Sequence, residues 1–193
     1  MWACCEWLLA IHFFGFRHRH DILEWRRPIA AMIFGQIESM AIVRHAIFPD
    51  DIPSVLSIWR EFIANSPVNL DYQGNDADFA NLPGKYASPK GCVLLADRGG
   101  NIDGCVAFRE ITPDICEMKR LYVRPHARGS HLGHDLVERL IIEARIAGYS
   151  EMRLDVMEKS VSARKLYEVF GFDAAEPVSF NPVPRASFLG LRL

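Results

Sequence analysis

The apolar positions after Met40 predict one helix followed by paired strands. Behind the helix-start signal Pro49-Asp50-Asp51, apolar residues recur at helical spacing: Ile52, Val55, Leu56, Trp59 and Ile63. Three apolar stretches then predict strands, at residues 92–96, 102–110 and 115–123. Turn residues separate these stretches, so we expect hairpins in this part of the chain. A short strand at 41–46 and a short helix near 76–82 are also predicted.

In the second half of the chain, the spacing of apolar residues alternates between that of a helix and that of a strand. Apolar residues recur every four positions at Leu132, Leu136, Leu140 and Ala144. They predict a helix that begins near His131 and is ended by Gly148. Three further elements follow, a strand at 151–157, a helix at 160–170 and a last strand at 186–193. Hairpins in the middle and alternating helices and strands afterwards predict an α/β or α+β domain with a mixed sheet.

The composition limits the classes of protein to which the chain can belong. Its 193 residues include 22 Lys plus Arg and 24 Asp plus Glu, which gives a formal net charge of -2. Proteins that bind nucleic acid by neutralising phosphates are usually basic, so no nucleic-acid partner is predicted. No run of about 20 apolar residues occurs, so no transmembrane segment is predicted. Five cysteines do not make a disulfide scaffold, which favours a reducing, cytoplasmic location.

Residues 1–39 differ in character from the rest and are predicted to be an N-terminal extension of a domain that covers 40–193. They contain three of the four tryptophans and an apolar stretch that is too short to cross a membrane. Glu6 precedes this stretch and basic residues follow it, which is the wrong order for a secretory signal. Two interpretations stay open. One is an extension without a role in the fold, translated upstream of a start at Met32 or Met40, and the other is an interfacial helix that docks on a membrane.

The clearest chemical signal lies where the strand at 115–123 ends and the next helix begins. The connecting loop reads Arg128-Gly129-Ser130-His131-Leu132-Gly133. A helix N-terminus presents unpaired backbone N–H groups and the positive end of the helix dipole, which suits a phosphate or pyrophosphate. Between residues 119 and 128 there are four cations and no acid: Lys119, Arg120, Arg124 and Arg128. The pattern favours an anionic ligand, and the competing interpretation is a solvated basic loop.

This loop resembles the main motif of the GNAT N-acetyltransferases, Gln/Arg-x-x-Gly-x-Gly/Ala, which follows the fourth strand of that family. Downstream, Leu166-Tyr167 and Gly171-Phe172 are similar to the closing element of the family. The resemblance covers roughly residues 41–193. It implies a mixed, mostly antiparallel sheet of six to seven strands flanked by about four helices. Two positions depart from the family pattern: His131 replaces the central glycine, and Ser160 stands where many relatives carry Asn.

The resemblance implies an enzyme that moves the acetyl group of acetyl-CoA directly to a primary amine of a small molecule or peptide. The backbone that would pair with the pantetheine arm belongs to Leu121, Tyr122 and Val123. The N–H groups that would hold the pyrophosphate run through Arg128, Gly129, Ser130, His131, Leu132 and Gly133. Ser160 and Ala163 are assigned to the same cofactor site. Tyr167 would protonate the departing thiolate, and its competing interpretation is a packing residue on an amphipathic helix.

Glu117 is the predicted catalytic base, because it occupies the strand position at which histone-acetylating relatives keep a catalytic glutamate. An ammonium must lose a proton before it can attack, and desolvation raises the pKa of a carboxylate. Strand alternation predicts that four side chains share one face: Glu117, Lys119, Leu121 and Val123. The competing interpretation is an ion pair with Lys119 or with Arg109. Two reserve candidates for the base are Glu110 and Tyr72.

No metal site is predicted. The three histidines of the loop region, His126, His131 and His134, lack a metal-binding spacing and a completing cluster. Three cysteines fall within predicted strands, where a thiol behaves as a small core residue: Cys92, Cys105 and Cys116.

The acceptor stays open at this point. Three acidic residues of the loop-rich segment either favour a cationic amine or are ordinary solvated charges: Asp71, Asp76 and Asp78. His131 in place of glycine motivates an alternative function, a non-catalytic module of the same fold that binds or senses CoA. A homodimer is compatible with the sequence.

Overall fold

The computed structural model describes residues 40–193. The predictions for residues 1–39, an extension or an interfacial helix, lie outside the described residues. Within 40–193, no helix combines the length and the apolar character that crossing a bilayer requires. The cytoplasmic location and the oligomeric state stay predictions.

Seven strands of the described chain form one sheet in the order β1-β2-β3-β4-β5-β7-β6. They are β1 (Ile42–His45), β2 (Cys92–Arg98), β3 (Asn101–Glu110), β4 (Ile115–Val123), β5 (Glu151–Val156), β6 (Asp173–Ala174) and β7 (Ser187–Arg192). Neighbouring strands are antiparallel except for β4 and β5, which run parallel. The mixed, mostly antiparallel sheet expected from the sequence is confirmed, and the two-residue β6 is an addition to it.

Four α-helices of the described chain flank this sheet: α1 (Ile52–Ala64), α2 (Asn75–Ala80), α3 (Leu132–Ile146) and α4 (Val161–Val169). The ends of α3 agree closely with the prediction. Its N-cap is His131, and Gly148 follows its last turn with a φ of 91° that favours glycine. Proline in the first turn of α1 is tolerated because the N–H groups there have no partner within the helix.

The helices bury two separate cores, one on each face of the sheet. On the first face, which we call the α3 face, Leu136 and Leu140 are fully buried against β3 and β4, and α4 adds Tyr167. On the opposite, α1 face, Ile58 and Trp59 are fully buried against β2 and β3. Burial of one such side chain contributes about 1.5–3 kcal/mol, so both faces of the central strands are firmly packed.

A β-bulge in β4 changes which of its side chains share a face. Arg120 has a φ of 61°, and the pairing with β3 shifts at this point. Ala107 lies opposite Lys119, whereas Cys105 lies opposite Tyr122, so one residue of β3 faces two residues of β4. The extra residue inverts the alternation for the remainder of the strand.

The expectation that Glu117, Lys119, Leu121 and Val123 share one face is therefore wrong. Leu121 and Val123 pack on the core of the α3 face. Glu117 and Lys119 lie on the α1 face and contact each other through a carboxylate–ammonium distance of 3.3 Å. Successive side chains alternate between the two faces of a sheet only in a regular strand. The bulge adds one residue and so shifts the alternation.

The two parallel strands separate after a short pairing. Residues 115–117 of β4 pair with 151–153 of β5, and no pairing between these strands continues beyond that point among the described residues. The rest of β5 pairs with β7 on its other side. The edge of β4 that faces β5 is consequently free from Met118 to Val123, which opens a cleft in the middle of the sheet.

Candidate active site

The cleft between β4 and β5 has a volume of about 130 Å³ and is lined from both faces of the sheet. Phe62 and Gln73 line it on the α1 side. Leu121, together with residues at and after the start of α4, lines it on the α3 side. Because both faces contribute, two ligands can approach the same point from opposite sides of the sheet.

Four of the residues predicted from the sequence meet in this cleft: Leu121, Ser160, Ala163 and Tyr167. Two other predicted residues have their side chains elsewhere. The Tyr122 hydroxyl donates to Glu61 Oε1 at 3.0 Å, and Val123 packs on the α3-face core. The prediction for these two residues concerned their backbone, which lies along the free edge of β4.

Tyr167 combines burial with a free hydroxyl group. Its side chain is buried, with the ring 5.6 Å from that of Phe172. Its hydroxyl makes no hydrogen bond to another residue within 40–193 and lies in the wall of the cleft. Desolvation, and to a lesser extent the charge of Asp155, raises the pKa of Tyr167 above its ordinary value. The phenol therefore keeps its proton at neutral pH and can donate it to a group in the cleft.

The loop before α3 has a backbone that a ligand can approach closely. Gly129 has a φ of 81°, and a Cβ added there would meet no atom within 4 Å. Ser130 Oγ donates to the Ala127 carbonyl at 2.6 Å and fastens the loop. The backbone N–H groups of residues 129–133 make no hydrogen bond to another described residue. These N–H groups at the start of a 15-residue helix can bind an anion.

His131 occupies a backbone conformation that favours glycine. Its φ is 60° and its ψ is 2°, and its side chain is exposed. A residue with a Cβ is disfavoured in this left-handed region by about 1 kcal/mol. His131 therefore differs from the glycine of the family motif in two ways: its backbone conformation is less favourable, and its side chain occupies space beside the loop.

The cations that suggested an anionic ligand do not converge on this loop. Three of them form ion pairs elsewhere: Lys119 with Asp155, Arg120 with Asp78, and Arg124 with Glu61. Arg128 makes no ion pair within the described chain, and its Nε donates to the Val123 carbonyl at 3.0 Å. A pyrophosphate site at this loop would therefore rest on backbone N–H groups and Arg128, and the three paired cations do not contribute to it.

Glu117 is fully buried, and its carboxylate lies among hydrogen-bond and ion-pair partners. Arg109 Nε and Nη2 both lie 2.8 Å from Oε2. Ser179 Oγ donates to Oε1 at 2.6 Å, and Lys119 Nζ lies 3.3 Å from the same oxygen. Two of these contacts are hydrogen bonds, from Arg109 Nε and Ser179 Oγ, and the other two are ion-pair contacts. The structure thus contains both ion pairs of the competing interpretation.

Asp155 is a carboxylate of the cleft that the sequence did not single out. It receives Lys119 Nζ at 3.0 Å and Asn181 Nδ2 at 2.6 Å, so about two of its four lone-pair positions stay free. Burial alternates along β5, and the half-buried Asp155 lies between the buried residues Leu154 and Val156. Only the separation of β4 and β5 turns that position toward a cleft.

The reserve candidates differ in position. Glu110 pairs with Lys90 and Tyr149, outside the cleft. Tyr72 lines a second cavity of about 170 Å³ on the α1 face, which shares Gln73, Lys119 and Arg120 with the cleft.

The acidic residues considered for the acceptor do not form a negative surface. Asp78 lies 2.6 Å from Lys85 Nζ and 3.1 Å from Arg120 Nη2, so its charge is neutralised. Asp71 and Asp76 are exposed. The preference for a cationic amine therefore has no support from these three residues.

Two of the three loop histidines, His126 and His134, contact other side chains. His126 Nε2 lies 2.9 Å from Asp103 Oδ1, and the His134 ring lies 4.7 Å from that of Phe170. Among residues 40–193, no group of three His, Cys, Asp or Glu side chains is arranged to hold a metal ion.

Comparison with known proteins agrees with this architecture. The sequence profile of the acetyltransferase (GNAT) family matches residues 56–172. An uncharacterised N-acetyltransferase of Schizosaccharomyces pombe is 38% identical over 147 residues, which are 75% of this chain and 90% of that relative.

Two solved structures are similar in fold. An acetyltransferase of the GNAT family from Staphylococcus aureus covers 79% of this chain, and 98% of its own, with a TM-score of 0.66 and 17% identity. The yncA protein of Salmonella typhimurium, solved with its cofactor acetyl-CoA, covers 80% of this chain and 94% of its own, with a TM-score of 0.62 and 20% identity.

Proposed function

The chain belongs to the acetyltransferase (GNAT) family, and we propose that it transfers the acetyl group of acetyl-CoA directly to a primary amine of a small molecule or peptide. The observation that carries this proposal is the cleft between β4 and β5, into which Tyr167 presents a hydroxyl with no partner among residues 40–193. An acyl donor bound from the α3 face and an amine bound from the α1 face would meet there.

Two features of the backbone fit acetyl-CoA. The free edge of β4 offers the N–H and C=O groups of Leu121, Tyr122 and Val123 to an extended pantetheine arm, as an added strand would use them. The unpaired N–H groups of residues 129–133 suit its pyrophosphate. Ser160 and Ala163, at the start of α4, border the cleft between these two features.

Tyr167 is proposed as the general acid. A thiolate leaves more readily when a donor protonates it, and a phenol whose pKa is raised by burial stays protonated until that moment. Its position in the wall of the cleft, on the α4 side, supports this role over that of a packing residue alone.

The amine must lose a proton, and two carboxylates compete for that role. Glu117 is the base predicted from the sequence, but it is fully buried and does not line the cleft, and its contacts with Arg109 and Lys119 support a role in positioning these side chains. Asp155 lines the cleft and keeps acceptor capacity. We therefore place the proton acceptor at Asp155 and assign Glu117 to positioning.

The proposal is tested by the release of CoA and by mass-spectrometric detection of acetylated amine, with acetyl-CoA and a panel of primary amines. Calorimetric titration with acetyl-CoA is the parallel measurement. Turnover with at least one amine is expected. Tight acetyl-CoA binding without turnover of any amine would support the alternative, a non-catalytic module that binds or senses CoA. The absence of both acetyl-CoA binding and turnover would reject both functions.

A further inference from the structure

The second cavity, beside the cleft, is rich in positive charge. Its charged lining consists of four cations and one carboxylate: Lys85, Arg109, Lys119, Arg120 and Asp78. We call this cavity of about 170 Å³ the cationic chamber. It lies on the α1 face, and its lining includes Ser179 and Phe180 of the segment between β6 and β7.

The nearby acids leave a surplus of positive charge. Asp78 pairs with Lys85 and Arg120, and Glu117 pairs with Arg109. Asp155 pairs with Lys119 at the boundary with the cleft. Counting all three acids against the four cations still leaves one positive charge in a chain whose net charge is -2. Cations that are held together in a partly desolvated space favour an anionic ligand.

Arg120 provides a second, independent sign of a ligand. Its side chain is 2% exposed, and its Nε and Nη1 donors have no hydrogen-bond partner within the described chain. Its guanidinium lies 5.2 Å from the Trp59 ring and 5.9 Å from the Phe62 ring, which compensates the buried charge in part. Buried donors without acceptors are costly, and a planar guanidinium matches a carboxylate in geometry.

We propose that the acceptor amine also carries a carboxylate, as amino acids do, and that the cationic chamber binds this carboxylate. The inference rests on the proposed acetyl transfer. The chamber and the cleft share Gln73, Lys119 and Arg120, so a small acceptor held by its carboxylate in the chamber presents its amine to the cleft. An acceptor without a carboxylate, a purely cationic amine, would bring only positive charge to the four cations that line the chamber.

The test compares acceptors that differ only in this group. Common L-amino acids are assayed beside their α-carboxamides and the corresponding decarboxylated amines, with phosphoethanolamine as an amine that carries a phosphate instead. At least one amino acid is expected to show a kcat/KM about tenfold or more above that of its carboxamide, because an ionic hydrogen bond is lost with the charge.

A matched pair of variants locates the effect. Lys85 lines the chamber and pairs with Asp78, whereas Lys90 pairs with Glu110 outside it. Both ammonium groups are partly exposed, so Lys85→Gln and Lys90→Gln are expected to fold. Lys85→Gln should raise KM for the preferred amino acid about tenfold with little change for its carboxamide, whereas Lys90→Gln should leave both values unchanged.

The outcomes separate this inference from the proposed function. Turnover of carboxamides or decarboxylated amines at rates equal to or above those of the amino acids overturns the carboxylate site and leaves the acetyltransferase standing. Turnover of phosphoethanolamine alone overturns it as well. Silence with every amine also rejects the inference, and the acetyl-CoA titration then reports whether cofactor binding has failed too.

Discussion

Lys119 and Arg120 are consecutive residues of β4, yet both line the cleft and the cationic chamber, because the positive φ of Arg120 adds an extra residue to the strand. In a regular strand, their side chains would point to opposite faces. The bulge therefore brings two cations to the place where β4 and β5 separate, and it returns Leu121 and Val123 to the opposite face.

Replacement of Tyr167 by Phe is expected to lower kcat about 100-fold, as the loss of a general acid does, with KM for acetyl-CoA within about twofold. The ring stays in its core, so the variant should keep the fold. Steady-state CoA release measures both constants. Tyr149→Phe is the matched control, because Tyr149 is equally buried at 6% and donates to Lys90 O outside the cleft. An unchanged kcat for Tyr167→Phe would leave Tyr167 with a packing role only.

Asp155→Asn is expected to lower kcat about 100-fold with KM for acetyl-CoA within about twofold, because the group that accepts the amine's proton is gone. Steady-state CoA release is the measurement. Asp51→Asn serves as the control, since Asp51 is exposed to a similar degree and pairs with Arg44 away from the cleft. An unchanged kcat for Asp155→Asn would exclude Asp155 as the base.

Glu117→Gln should behave differently from Asp155→Asn. Removing the buried charge leaves Arg109 and Lys119 without their common partner, so the free energy of unfolding should fall by about 3 kcal/mol. The folded variant should keep kcat within about tenfold, because the proposed proton acceptor is still present. Chemical denaturation and steady-state CoA release measure the two effects. A loss of kcat of about 100-fold at full stability would instead make Glu117 the base.

His131→Gly is expected to raise the free energy of unfolding by about 0.5–1 kcal/mol, because glycine adopts a φ of 60° without a Cβ penalty. It should also tighten acetyl-CoA binding, since the space beside the N–H groups of the loop increases. Arg185→Gly is the control: Arg185 has a φ of 61° and lies far along the chain in an exposed segment. The control should gain stability without any change in calorimetric affinity, and equal affinities for both variants would contradict the prediction for His131.

The three strand cysteines are expected to be unreactive in the native protein. Burial raises the pKa of Cys92, Cys105 and Cys116 to about 12, above the ordinary range of a thiol. Each thiol therefore keeps its proton at pH 8, where only roughly one in 10⁴ would be a thiolate. Alkylation with iodoacetamide, read by peptide mass spectrometry, should leave them unmodified until the protein is unfolded.

The raised pKa of the three thiols also determines how the free energy of unfolding changes with pH. A thiol with a raised folded-state pKa favours the folded state below its unfolded pKa, and this contribution is lost as the pH rises toward about 12. The free energy of unfolding should consequently fall above about pH 9. Rapid labelling of any of the three at pH 8, in protein that stays folded, would contradict the assigned burial.

Local patterns were sufficient for the elements and the family. The repeat of Leu132, Leu136, Leu140 and Ala144 predicted α3, and Gly148 predicted its end, because both depend on residues within one helix. The motif from Arg128 to Gly133 is likewise continuous in sequence, so its position before a helix could be predicted without any long-range contact.

What the sequence could not determine were the partners of the charged groups. Arg120 meets Asp78, 42 positions away, and Arg124 meets Glu61, 63 positions away, so neither pair leaves a periodic trace. The bulge at Arg120 inverted the faces of β4, and the separation of β4 and β5 turned Asp155 toward a cleft. The sequence by itself determined the order of helices and strands and the loop that suits a pyrophosphate, since hydrogen bonding and side-chain periodicity act over a few residues. Only the tertiary structure decided which charges neutralise one another and which face the cleft, because electrostatic partners are set by distance in space.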